Sequence, residues 1–146
     1  MRIYFLRKLP TLYWWGVRVE EASLDQFAVT IPFRWRTQNP FRSIYFAALA
    51  GTAEFSTGLP TLMAIAESGK SVSMLVTAME AEFVKKADRR VTFVCEEVEA
   101  IREAVGRAVA SGEGVNVRVL TTGFKSDGAV VARFWLTWSL KVRTRG

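Results

Sequence analysis

Alternation of apolar and polar positions marks the first strands. Between Gly16 and Glu21, Val17 and Val19 alternate with Arg18 and Glu20, the period-two signature of a half-buried strand. Phe27, Val29, Ile31, Phe33 and Trp35 then share one face, opposite Gln26, Ala28, Thr30, Arg34 and Arg36. Pro32 interrupts this second run and predicts an edge or an irregularity, because proline has no N–H for a ladder. Thr37-Gln38-Asn39-Pro40 reads as the turn that ends it.

From Ser43 the period changes. Ser43 is a candidate N-cap, and the Ala-rich run from Tyr45 to Gly51 predicts a helix to about Gly58. Pro60 then opens a second short helical piece through Glu67. This segment is apolar on nearly every side, as expected of a helix buried at the centre of a water-soluble chain. After a turn at Gly69, Val72 to Lys86 and Arg90 to Glu96 read as strands. Val98, Ile101, Val105 and Val109 mark an amphipathic helix ending near Gly112. Val115 to Phe124 and a long run from Ala129 complete the set, joined by a hairpin turn at Lys125-Ser126-Asp127-Gly128. The expected architecture is α+β. A strongly curved antiparallel sheet of about six strands wraps around one buried central helix, with an additional surface helix.

The length of 146 residues fits one domain over 1–146, and a hydrophobic share of 50% is ample for its core. There is no histidine. That excludes Ser-His-Asp and Cys-His catalysis and every histidine-containing metal site. The lone cysteine, Cys95, cannot form an internal disulfide, which is compatible with a reducing, cytoplasmic setting. Met1 to Lys8 lacks the long apolar stretch of a secretion signal. Ile44 to Ala66 is apolar enough to raise the membrane question, but Glu54, Gly58 and Pro60 within it argue against a spanning helix. Chemistry must then rest on carboxylates, hydroxyls, amides, backbone N–H groups or a bound cofactor.

Of the fourteen acids, Glu54 is the only one between Asp25 and Glu67. A charged carboxylate in an apolar helix is costly unless it is paired, protonated or kept for a function. It shares a helical face with Ala47, Ala50, Gly51 and Gly58, and such small neighbours leave room for a ligand. Alternatively they let the sheet pack close, and Glu54 bonds a strand or a partner chain. Two other signals are weak. Gly69-Lys70-Ser71 lacks the earlier glycine of a phosphate loop and precedes a strand. Glu80 and Glu82, with Glu96 and Glu97 further along, make a poor metal site and a good set of paired strand charges. Tyr13, Trp14 and Trp15 could wall a pocket or seal the core.

The stretch Asn39-Pro40-Phe41-Arg42-Ser43-Ile44-Tyr45-Phe46-Ala47-Ala48-Leu49-Ala50-Gly51-Thr52-Ala53-Glu54 resembles the loop and central helix of hotdog-fold thioesterases. It is most similar to the phenylacetate-pathway type of acyl-CoA thioesterase and, with Phe55-Ser56-Thr57-Gly58, to an uncharacterised branch grouped with them. The order of elements extends the resemblance from Gly16 to Arg143. In that family an Asn opens the loop, a His-Gly-Gly triplet starts the helix, and an acid follows further along it. Aligned on Glu54, the Asn is Asn39, the His position is Tyr45, and the two glycines are Phe46 and Ala47. The acid and the Asn are retained and the triplet is not.

The resemblance implies hydrolysis of a small-molecule acyl thioester. Glu54 is the general base or nucleophile, Asn39 orients water or carbonyl, and the Thr57 hydroxyl assists. Phe46 and Ala47 offer backbone N–H groups to the oxyanion, and Tyr45 contacts substrate. The basic cluster Lys85, Lys86, Arg89 and Arg90, at one predicted hairpin, could meet the phosphates of coenzyme A or an acidic carrier protein. It could equally be an ordinary solvated turn. Coenzyme A enters as part of the substrate, with no further cofactor and no metal. The cleft lies between two subunits of a dimer, or of a tetramer built from dimers, and the strand from Val72 to Lys86 pairs across it. Its acyl-chain preference depends on Trp35, Phe41, Tyr45 and Met63. The net charge of +6 comes with no nucleic-acid recognition motif, and no membrane partner is expected. The alternatives are a non-catalytic hotdog module that binds acyl-CoA or another apolar anion, and a structural or interaction protein.

Overall fold

The computed structural model describes residues 2–144; Met1, Arg145 and Gly146, counted above within the domain, lie outside them. Two short helices open the chain, α1 (Arg2–Lys8) and α2 (Pro10–Trp15), followed by strands β1 (Arg18–Ala22) and β2 (Phe27–Ile31). A 3-10 turn at Trp35–Thr37 leads to the long helix α3 (Phe46–Ser68), then β3 (Val72–Phe83) and β4 (Val91–Cys95). Helix α4 (Val98–Ser111) and strands β5 (Val115–Lys125) and β6 (Val130–Val142) complete the order. All six strands join one antiparallel sheet in the order β1-β2-β4-β5-β6-β3. The α+β architecture matches the expectation.

Helix α3 packs on the inner face of this sheet, and α4 packs beside it through Val98, Ile101, Ala104, Val105 and Ala108. Buried side chains of β2, β4, β5 and β6 meet α3 in one core around Val29, Phe93, Val119, Phe134 and Leu136. Within the sheet, Gly123 on β5 lies opposite Phe93 on β4, and a methyl group there would come within 2.7 Å of the Phe93 ring. The hairpin at Lys125–Gly128 forms as expected, with Gly128 at φ 88°.

Several expectations change. Residues 2–15 had no element assigned, yet they form α1 and α2. Pro10 opens α2, and Gly16 closes it in the left-handed region at φ 77°, where glycine has no Cβ penalty. Strand β2 ends at Ile31, so Phe33 and Trp35 do not extend its inward face. Pro32 cannot donate to a ladder, and the Thr37 hydroxyl accepts from the Arg34 N–H at 2.9 Å, curling the chain into the 3-10 turn. Helix α3 starts after Tyr45 rather than Ser43, because Ile44 is held extended by its bridge to Gln38 and its N–H bond to Ala87.

The same helix is continuous through Pro60. A mid-helix proline forfeits one hydrogen bond and costs about 3 kcal/mol. Here Leu59, Pro60, Thr61 and Ala64 are all buried, so breaking the rod would expose more than it relieves. No described helix is long and apolar enough to cross a membrane. Glu82 pairs with Arg133 on the adjacent β6 and Glu80 reaches across it to Arg118 on β5, as surface strand charges should.

Candidate active site

Glu54 projects from the middle of α3 between two indoles. A methyl at Gly51 would meet Trp15 Cζ3 at 2.9 Å, and one at Gly58 would meet Trp138 Cζ2 at 3.2 Å. Of the two alternatives for these small residues, the structure shows close packing: they admit tryptophans, one of them from the sheet, rather than leave open room. Trp15 seals the core, while Trp14 stays exposed with the Arg36 guanidinium over its ring. Glu54 itself is half-buried, and its carboxylate has no hydrogen-bond or ion-pair partner among the described residues. Burial raises its pKa above the ordinary 4.5, since partial desolvation penalises the anion.

Thr57 sits one turn further on and is fully buried. Its hydroxyl donates to the Glu54 carbonyl oxygen at 2.9 Å and accepts from Trp138 Nε1 at 3.0 Å. The second bond anchors α3 to β6, while the first stays within the helix. The bond from Trp138 to Thr57 carried no sequence signal.

Asn39 organises the loop before α3. Its Oδ1 accepts from the N–H groups of Phe41, at 2.9 Å, and Ser43, at 3.2 Å. Arg42 takes a left-handed conformation at φ 58° to close the turn. The Tyr45 N–H donates to Thr37, and the Tyr45 carbonyl receives Ala48 and Leu49. The N–H groups of Phe46 and Ala47, in the first turn of α3, have no acceptor among the described residues. Such orphan donors concentrate positive potential at a helix start. The side chains of Tyr45 and Phe46 are exposed and stack edge-to-face at 5.0 Å.

Lys85, Lys86, Arg89 and Arg90 do not lie on a hairpin. β3 is an edge strand and β4 an inner one, so residues 84–90 form a crossover rather than a turn between neighbours. That crossover is tied to the loop before α3, because Ile44 donates its N–H to Ala87. Arg89 is paired with Asp88 at 3.6 Å and Asp127 at 3.8 Å, and Lys125 also reaches Asp88. The Lys125 hydrogen bond holds the Asp88 carboxyl below its usual range, and the Ala129 N–H does the same for Asp127. Lys85, Lys86 and Arg90 are exposed and have no ion pair among the described residues.

The chain thus brings together the Asn39 loop, the start of α3 and the basic crossover. Glu54 stands apart from that group. It lies eight residues beyond Phe46, about 12 Å along the axis at 1.5 Å per residue.

The described residues hold no cluster of side chains suited to a metal ion. No curated protein matches the sequence. Among solved structures, a protein of unknown function from Chlorobaculum tepidum superposes with a TM-score of 0.83 at 12% identity, over 97% of this chain and 92% of that one. A Pseudomonas aeruginosa protein described as a probable thioesterase gives 0.79 at 20% identity, over 97% and 93%. A Haemophilus influenzae thioesterase gives 0.66 at 12%, over 96% and 88%. These likenesses show the hotdog fold. Residues 2–140 match the family described as a domain of unknown function, DUF4442, and the chain belongs to that family.

Proposed function

We propose that this protein hydrolyses an acyl thioester, with Glu54 as the central group. The observation that carries the reading is a half-buried carboxylate with a raised pKa and no partner among the described residues. Glu54 would take a proton from water as it attacks the thioester carbonyl; the C–S bond breaks and the thiol leaves with that proton. The Phe46 and Ala47 N–H groups are the natural donors to the oxyanion, and Asn39 still has its side-chain NH2 to orient water or carbonyl. Kinship of fold with proteins described as thioesterases supports the reading.

A separation of about 12 Å along one helix exceeds the reach of one reacting carbonyl. The carboxylate and the oxyanion donors would therefore come from two copies of the chain. Edge strand β3 supports such an assembly. Met79 and Phe83 face inward opposite Leu136 and Ala132, yet they remain 51% and 54% exposed, beyond the cover of their own helix. Trp35 and Phe41, both 76% exposed, add apolar surface near the start of α3.

A second reading, a module that binds acyl groups without turnover, is favoured by one observation. Tyr45 and Phe46 place two exposed rings where a hydrolase of this type keeps a histidine and a glycine. A panel of short, aromatic and long acyl-CoAs separates the readings. Hydrolysis that Glu54→Gln lowers at least about a hundredfold is expected of the enzyme, whereas wild-type turnover equal to the variant's would sink it. Size-exclusion chromatography checks the geometry, since a clean monomer would contradict a cleft shared by two copies.

A further inference from the structure

The N-terminal helices enclose a cavity of about 420 Å³ against β1 and the segment after β2. Four arginines line it: Arg2, Arg18, Arg34 and Arg36. Among the described residues no carboxylate lines it, and none of the four arginines forms an ion pair. The acids nearest in sequence are occupied elsewhere: Glu20 accepts from Thr30 Oγ1 at 2.6 Å and Glu21 from Gln26 Nε2 at 2.6 Å. The rest of the lining includes Tyr13 and Val19, with the buried Phe5 and Val17 behind them. The cavity therefore has a cationic rim and an apolar wall, with a volume inside the range of about 300–1,000 Å³ typical of small-molecule sites.

We propose that this cavity binds a phosphate ester, its phosphate held by the arginines and its organic part resting on Tyr13 and Val19. Guanidinium groups match phosphate oxygens in a bidentate manner. A phosphate monoester carries between about one and a half and two negative charges near neutral pH, which balances this rim better than a single carboxylate does. The basic crossover is a weaker candidate for the same anion, because Arg89 already shares its charge with Asp88 and Asp127. The proposal does not depend on Glu54 or on turnover. The ester could be a nucleotide, as in the carrier of an activated acyl group, or a free amphiphile.

Calorimetric titration with adenosine 3′,5′-bisphosphate, octyl phosphate, inorganic phosphate and octanoate tests it. Trp14 fluorescence gives a second readout, since Arg36 lies 5.0 Å from its ring centroid. Saturable binding of either ester, at least about tenfold tighter than octanoate, is expected. Tighter binding of the nucleotide identifies a carrier-type ligand, and tighter binding of octyl phosphate a free amphiphile. Arg18→Gln and Arg34→Gln, both at exposed positions, should each weaken binding about tenfold, the scale of one charge-assisted hydrogen bond. Arg107→Gln on α4 serves as the charge-matched control. The proposal is overturned if the wild type binds neither ester at millimolar concentration, or if affinity survives Arg18→Gln with Arg34→Gln. It is likewise overturned if Lys85→Gln with Lys86→Gln abolishes binding while the two arginine variants do not.

Discussion

The indole N–H of Trp138 on β6 donates to the hydroxyl of Thr57 on α3, and that hydroxyl donates in turn to the carbonyl oxygen of Glu54. The sheet therefore grips the helix at the turn that presents the carboxylate. Thr57→Val keeps the shape but leaves Trp138 Nε1 buried without an acceptor, at an expected cost of about 1–3 kcal/mol; Thr57→Ser should cost less than half of that. Urea unfolding measures both. If the Val variant instead keeps its stability and loses hydrolysis as deeply as Glu54→Gln, Thr57 acts on the substrate rather than as an anchor.

Glu54 gives a pH signature with a definite sign. Its folded pKa lies above the ordinary 4.5, so between those two values the folded state holds a proton that the unfolded state releases. Stability then falls as pH rises through that window and stays reduced above it. Glu54→Gln should raise stability by about 1 kcal/mol at neutral pH and by nothing below 4.5. Denaturant melts at several pH values check this, and a gain independent of pH would contradict it. Hydrolysis, if Glu54 is the base, should show an acid limb with its midpoint above the ordinary value.

Gly51 is a packing requirement. Gly51→Ala gains helix propensity of about 1 kcal/mol but drives a methyl to 2.9 Å from Trp15, and overpacking costs about 1–3 kcal/mol. A net loss is expected, visible as a lower melting temperature together with a shifted tryptophan emission. Trp15→Phe in the same chain should recover part of it. A more stable single variant would mean that α2 yields freely.

Cys95 is fully buried on β4, and burial pushes its thiol up to about 11. Thiolate is the reactive form, so a disulfide reagent at mildly alkaline pH should label it only as fast as the chain unfolds. Labelling that ignores added denaturant would show a local opening at β4.

What could be read from the sequence followed from local period and turn chemistry. Val98, Ile101 and Val105 announce α4, and the turn at Lys125–Gly128 announces the last hairpin, because each signal lies within a few residues of the element it specifies. Glu54 stood out for a related reason: one charge in a long apolar run is conspicuous without any knowledge of its neighbours. The indoles around it were not, since positions 15 and 138 meet α3 only through the tertiary fold. Helices α1 and α2 were missed because six or seven residues are too few for a helical period to show. Pro60 misled in the opposite direction, with burial overriding a strong local rule. The four-arginine cavity is also non-local, as its residues spread from position 2 to position 36.

The pairing of Val72 with Val142 at the far end of the β3–β6 ladder has a consequence for how the chain is made. On the ribosome, β3 emerges early while its only neighbour in the sheet is among the last segments translated. Until then a long apolar strand and one flank of α3 wait without cover, and slow non-local closure is the step most exposed to misassembly. Truncations that remove β6 should therefore aggregate during synthesis, whereas loss of α1 leaves that ladder intact and uncovers the core only where Phe5 packs on Phe55.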